Sequence, residues 1–182
     1  LTTITMIAFT ANLVLCRLAL QQSAIDPASF TVIRLLSGVV MLALLVGMRG
    51  QRPGKAGNWG SALALFVYAT CLSFAYVSLP TGIGGLLLFA AVQATMILTG
   101  LARGERLAVS QWIGLLVAFA GLAFLLRPGL AAPPLGEALL MIGAGIAWGV
   151  YSLRGQRARD ALAATAGNFL RTVPMVLGLA LV

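Results

Sequence analysis

Histidine is missing from this sequence altogether, and carboxylates nearly so, with four among 182 residues. Hydrolases and transferases need a base, a nucleophile with a partner base, or a metal cluster. Catalysis is disfavoured here, because there is no His and neither Cys nor Ser has a plausible partner base in an apolar segment. No enzyme, catalytic residue, metal site or cofactor is expected. The two cysteines, Cys16 and Cys71, fall inside apolar runs, where they act as small apolar side chains and not as a disulfide framework. The single lysine, Lys55, stands in a polar loop. A seven-helix retinal pigment, which needs a lysine deep in its last helix, is thereby excluded. A phosphate-cradling loop ending in Gly-Lys is absent too, so ATP is not the expected driving force.

What is present is apolar. Hydrophobic residues make up 60% of the chain and charged ones 9%, against about 45–50% and about 25% in an ordinary soluble domain. Ser29 to Met48, Trp59 to Leu79, Gly82 to Ala102 and Leu107 to Leu126 carry one charge or none. Thr2 to Leu20 carries only Arg17, Leu135 to Leu153 only Glu137, and Ala161 to Val182 only Arg171. Each run suffices to cross a hydrocarbon layer about 30 Å thick. They are twice the length of a barrel strand and do not alternate in polarity, so the spans are read as helices. The expected fold class is all-α, a polytopic membrane helix bundle with seven transmembrane helices. Thr2 to Leu20 lacks the basic lead and small-residue cleavage pattern of a signal peptide and is counted as the first helix. Because the chain begins at Leu1 and ends inside an apolar run, it reads as a fragment or a trimmed chain.

Basic residues set the orientation. Alternate loops carry Arg49, Arg52 and Lys55, then Arg103 and Arg106, then Arg154, Arg157 and Arg159, whereas the intervening loops hold only Arg127. Lys and Arg in short loops stay on the cytoplasmic side, which makes the N-terminus cytoplasmic. The net charge of +8 is thus a topology signal flanking the bilayer, and no nucleic-acid partner is expected.

Arginines also hint at a repeat. Arg17 and Arg34 are 17 residues apart, as are Arg154 and Arg171, with an offset of 137 between the pairs. "GNFLRTVPMVLGLALV" lies over "FTVIRLLSGVVMLALL" with arginine on arginine. A second copy that begins after five helices enters the membrane from the opposite side. Such inverted-topology repeats are what secondary transporters use to alternate access to a site near the bilayer midplane.

Longer stretches resemble a known family. "SFTVIRLLSGVVMLALLVGMRG" looks like the second helix of EamA-type transporters of the drug/metabolite transporter superfamily. "FAYVSLPTGIGGLLLFAAVQATMILTGLARGERLAVSQWIGLLVAFAGLAFLLRPG" resembles their third helix end, fourth helix, "GER" turn and fifth helix. "GEALLMIGAGIAWGVYSLRGQRARDALAATAGNFLR" resembles the start of a second EamA unit. The resemblance implies two inverted five-helix repeats, residues 1–130 holding the first and 131–182 the start of a truncated second, seven helices out of ten. It implies a secondary transporter of a small metabolite, amino acid or drug in a bacterial cytoplasmic (inner) membrane. A non-transporting structural or channel-like membrane protein is the alternative. Expected partners are a small-molecule substrate and the lipid bilayer, with a homodimer left open. Many members carry a proline in the middle of the fourth helix, where this chain reads "VQATMIL", so a proline kink is not expected there.

The candidate substrate-path residues are intramembrane polar and aromatic groups. Arg34 either snorkels, holds carbonyls of neighbouring helices, or presents a planar fork to an anionic or zwitterionic substrate. Arg171, deeper in its run, has the same choices and snorkels less easily. Gln93 shares a helical stripe with Met96, Gly100 and Gly104 and is read either as packing or as a polar contact across helices or to a substrate. Trp148 and Tyr151, with Ser152, share a face that stacks on a substrate or anchors at the interface. Asn12 and Thr10 are further path candidates, Tyr68 and Tyr76 secondary ones. Glu105 is expected to pair with Arg103 or Arg106, or to face the next helix's N-terminus. The short "LPTGIGG" connection predicts that the third and fourth spans pack as an antiparallel hairpin. Glu137 alone approaches a proton-coupling carboxylate, and at the outer end of its helix it favours exchange or facilitated diffusion over proton coupling.

Overall fold

A computed structural model describes residues 2–22, 25–51, 54, 56–125, 134–156 and 158–181. Among them are seven helices and no strand: α1 (Thr2–Gln22), α2 (Pro27–Met48), α3 (Trp59–Ala75), α4 (Thr81–Ala102), α5 (Val109–Leu125), α6 (Leu135–Gly155) and α7 (Ala161–Leu179). The protein is a polytopic helical membrane protein. Five helices, α1, α2, α4, α6 and α7, are long and apolar enough to cross a membrane, whereas α3 and α5 are shorter. At 17 residues each of the latter is about 25 Å long. Helix α3 stops early because the chain turns at Tyr76, whose buried ring lies on Gly84 at the start of α4. Arg52, Lys55, Arg127 and Arg157 lie outside the described residues, as do the ends of the fifth and seventh apolar runs, Leu126 and Val182.

Local chemistry sets the helix starts. The Asp26 carboxylate accepts from the Ser29 amide, and Pro27, which has no N–H to lose, opens α2. Asn58 caps α3 through the Ser61 amide, and Asp160 caps α7 through the Ala163 amide. Pro174 sits inside α7, so the Leu170 carbonyl has no amide donor one turn on.

The helices do not pack in chain order. Helix α6 lies along both α3 and α4, while α7 lies along α2 and α3. Helices α3 and α4 meet only around their turn. The expected α3–α4 hairpin is thus corrected: the two splay, and α6 fills the space between them. Lipid tails are as apolar as leucine, so helix association in a bilayer rests on close van der Waals fit. Small residues supply that fit. A Cβ on Gly145 would stand 2.5 Å from the Leu88 carbonyl oxygen, and one on Gly149 2.9 Å from the Thr95 Cβ. On α3, Leu65, Ala69 and Leu72 are buried in the same core as Met141 and Ala144 of α6. By contrast, α1 touches α4 only lightly and α5 lies at its edge. Gly114 and Gly121 of α5 face open space.

Candidate functional site

Five helices each turn one stripe toward a common cavity of about 740 Å³. Thr5, Phe9 and Asn12 come from α1, and Arg34, Ser37, Gly38 and Met41, spaced i, i+3, i+4, i+7, from α2. Helix α3 adds Leu65 and Tyr68, α6 adds Trp148 and Tyr151, and α7 adds Thr165 and Phe169. The volume is in the range of small-molecule sites, and the wall is mostly apolar with a few polar groups, as such sites are.

Arg34 is the charged group on that wall. Its Nη2 donates to the Tyr68 hydroxyl at 3.4 Å, and its Cζ lies 5.5 Å from the Tyr68 ring centroid. Its Nη1 is buried and has no acceptor. Rings gather nearby. Trp148 is tilted on Tyr68 at 4.7 Å between centroids, stacked on Tyr151 at 5.4 Å and edge-on to Phe9 at 5.9 Å. Across the cavity, the Phe169 ring occupies the space that a side chain at Gly38 would need.

Of the residues singled out from the sequence, Asn12, Arg34, Trp148 and Tyr151 are brought together here, and Tyr68 joins them. Gln93 is elsewhere. It is exposed and lines a separate apolar groove between α4 and α5, with Phe89, Ala90 and Leu115. Tyr76 is buried at the end of α3, its hydroxyl unpartnered. Phe9, Ser37, Gly38 and Phe169 escaped notice in the sequence, although Ser37 and Gly38 stand one turn from Arg34.

Arg171 is a clamp outside the cavity. Its Nη1 donates to the carbonyls of Ala56 (2.8 Å) and Gly167 (2.9 Å), and its Nη2 to the Gly54 carbonyl (3.2 Å). The α2–α3 loop is thereby tied to α7. Gly57, at φ +87°, lies so close to Gly167 and Asn168 that a Cβ would overlap both, while the Asn168 Oδ1 accepts from the Asn58 amide. Arg154, at the end of α6, donates to Ser61 and Asn58 (3.1 and 2.9 Å). Asp160 accepts from Gln51 (3.2 Å). The Ala163 amide and Gln51 hold the Asp160 carboxyl below the usual carboxylate range. Glu105 makes no ion pair among the described residues. Its carboxylate lies over Gly100, and Gly104, at φ +88°, ends α4.

The electrostatics favour one sign of guest. At an effective dielectric constant near 20, a cation held about 6 Å from Arg34 meets roughly 3 kcal/mol of repulsion. An aromatic face returns about 0.5–2 kcal/mol, so the cavity disfavours cations.

Residues 1–127 match the EamA-like transporter family. The chain belongs to that family. The match spans α1 to α5, so α6 and α7, which complete the cavity with Trp148, Tyr151, Thr165 and Phe169, lie beyond it. This EamA-like chain is 54% identical over 175 residues, 95% of its own length, to the uncharacterized protein PA1977 of Pseudomonas aeruginosa. It spans 61% of that relative's length. No solved structure matches it. Members of the family are transporters of the drug/metabolite type, not enzymes.

Proposed function

We propose that this EamA-like chain belongs to a secondary transporter that carries a small organic solute across the bacterial cytoplasmic membrane by alternating access. The cavity carries the reading, because α1, α2 and α3 of residues 1–130 and α6 and α7 of residues 131–182 wall it together. Five helices before the second unit would invert it relative to the first, and two inverted units rocking about a shared site expose that site to each side in turn. The basic loops and the N-terminus are on the cytoplasmic side in this reading. The lining runs from Arg34 and Asn12 toward Thr5, Tyr151 and Thr165 near those loops, which suits a state facing the cytoplasm. Carboxylates stand only at helix ends and turns, so exchange or facilitated diffusion fits better than proton coupling.

The test uses the full-length protein in proteoliposomes, with Cys16 and Cys71 replaced and Ser37→Cys introduced on the cavity wall. A membrane-impermeant thiol reagent is expected to reach position 37 from either face. Labelling from one face only, whatever the incubation time, removes alternating access. Comparing metabolites retained by cells that carry the intact protein or the plugged Gly38→Trp variant then narrows the solute.

A further inference from the structure

The cavity holds a positive charge with no counter-ion. Arg34 is the charged side chain on its wall, and all four carboxylates, Asp26, Glu105, Glu137 and Asp160, stand at helix ends or turns. The Arg34 guanidinium has one long bond to a neutral hydroxyl, and its Nη1 has no acceptor. Arg171 shows the opposite case in the same fold: three of its five N–H donors reach carbonyls at 2.8 to 3.2 Å. A guanidinium with donors to spare in an apolar hollow calls for an acceptor-rich anion, and its planar fork matches a carboxylate with two parallel bonds.

The rest of the wall describes what that carboxylate is attached to. Trp148 stands in a group of rings with Phe9, Tyr68 and Tyr151, and Phe169 faces them. Such surfaces take a flat ring by offset stacking and edge contact. The remaining polar groups, among them Asn12 and Ser37, are neutral. An ammonium entering the cavity would find no acid and would face Arg34. A second anionic group would find no second cation among the described lining residues.

We propose that this cavity selects an aromatic monocarboxylate, a flat apolar ring system bearing one carboxylate and no amine. The carboxylate takes the Arg34 fork and the ring lies among Trp148, Phe9 and Phe169. Movement of this solute across the membrane rests on the transporter reading above; selective binding does not.

The two are separated by measuring binding and transport on the same full-length protein. Equilibrium binding in nanodiscs compares four matched probes: 3-phenylpropanoate, its primary amide, 3-phenylpropylamine and phenylalanine. The carboxylate is expected to bind about ten- to a hundredfold tighter than the amide, with the amine and the zwitterion weaker still. Arg34→Gln brings the carboxylate down to the level of the amide. Ser37→Asp, which sets a counter-ion one turn away on the same stripe and keeps the guanidinium, does the same should the Gln variant misfold. An amide or amine that binds as well as the carboxylate, or a preference that survives both substitutions, overturns the proposal. Carboxylate-selective binding without counterflow in proteoliposomes upholds the selection and sinks the transporter reading. Counterflow of another solute, blocked by Gly38→Trp and showing no carboxylate preference, does the reverse.

Discussion

Arg34 and Arg171 occupy matching places, each 17 residues after another arginine, yet they meet opposite surroundings. Arg171 leans back toward the start of α7, as helical side chains do, and there the α2–α3 loop passes close enough to offer two carbonyls. Gly57 and Gly167 make that approach sterically feasible. Arg34 leans back along α2 and meets one phenol and a cavity. A matching arginine spacing therefore does not transmit a role. What decides it is whether backbone acceptors come within reach of the guanidinium.

That contrast can be broken most severely at Gly167, where even a Cβ would collide with the Ala56 carbonyl. Gly167→Val is expected to cost about 1–3 kcal/mol or more through overpacking, read as a lowered melting temperature in detergent. An unchanged melt would mean that the loop is not seated on α7. Next come the arginines themselves. Arg171→Met strips three charge-assisted bonds and should lose about 1.5–3 kcal/mol of stability, leaving solute affinity nearly intact. Arg34→Met loses one long bond and relieves a half-buried charge, so stability should shift by about 1 kcal/mol or less in either direction while solute binding collapses. Side-by-side melts and binding isotherms in which the two variants exchanged behaviour would erase the distinction drawn above. A smaller effect is expected from Tyr68→Phe, which removes the acceptor for Arg34 Nη2. It should cost about 0.5–1 kcal/mol and loosen carboxylate binding a few-fold, because the guanidinium is less firmly held.

The smallest effect concerns the clamp's edge. The Asp160 carboxyl is held below its ordinary range by the Ala163 amide, with Gln51 adding to it. A carboxyl depressed in the folded state contributes stability above its ordinary pKa, about 4, and that contribution is lost as pH falls through the lower native value. Amide exchange at Ala163 and Ala164 should therefore quicken as pH drops through this window, beyond the intrinsic trend. Asp160→Asn should flatten that dependence, and an identical profile in both proteins would show that the cap does not titrate.

Much of the architecture was legible residue by residue. Apolar runs placed all seven helices to within a few positions, whereas the caps at Asp26, Asn58 and Asp160 emerged only from the structure, although their chemistry is local. Arg34, Asn12, Trp148 and Tyr151 stood out because polar or amphipathic side chains in an apolar run are conspicuous, and the structure gathers them around one cavity. Gln93 was equally conspicuous and faces a groove toward α5 instead. Hydropathy does not say which side of a span turns inward when both sides are apolar. The insertion of α6 between α3 and α4 was invisible for a related reason. Short connections suggest neighbours, but a bilayer provides little hydrophobic force to enforce them, and the fit of Gly145 and Gly149 on α4 prevailed.

Local quantities were settled by the amino-acid order alone: which segments prefer lipid, where helices begin, and that no acid stands in the apolar interior to neutralise Arg34. Each depends on a residue and its chain neighbours. The tertiary arrangement alone decided which arginine meets carbonyls and which meets a hollow, and which aromatic rings gather around Trp148. Those outcomes depend on which helices touch, and in a medium as apolar as the helices themselves that choice is made by shape between distant segments.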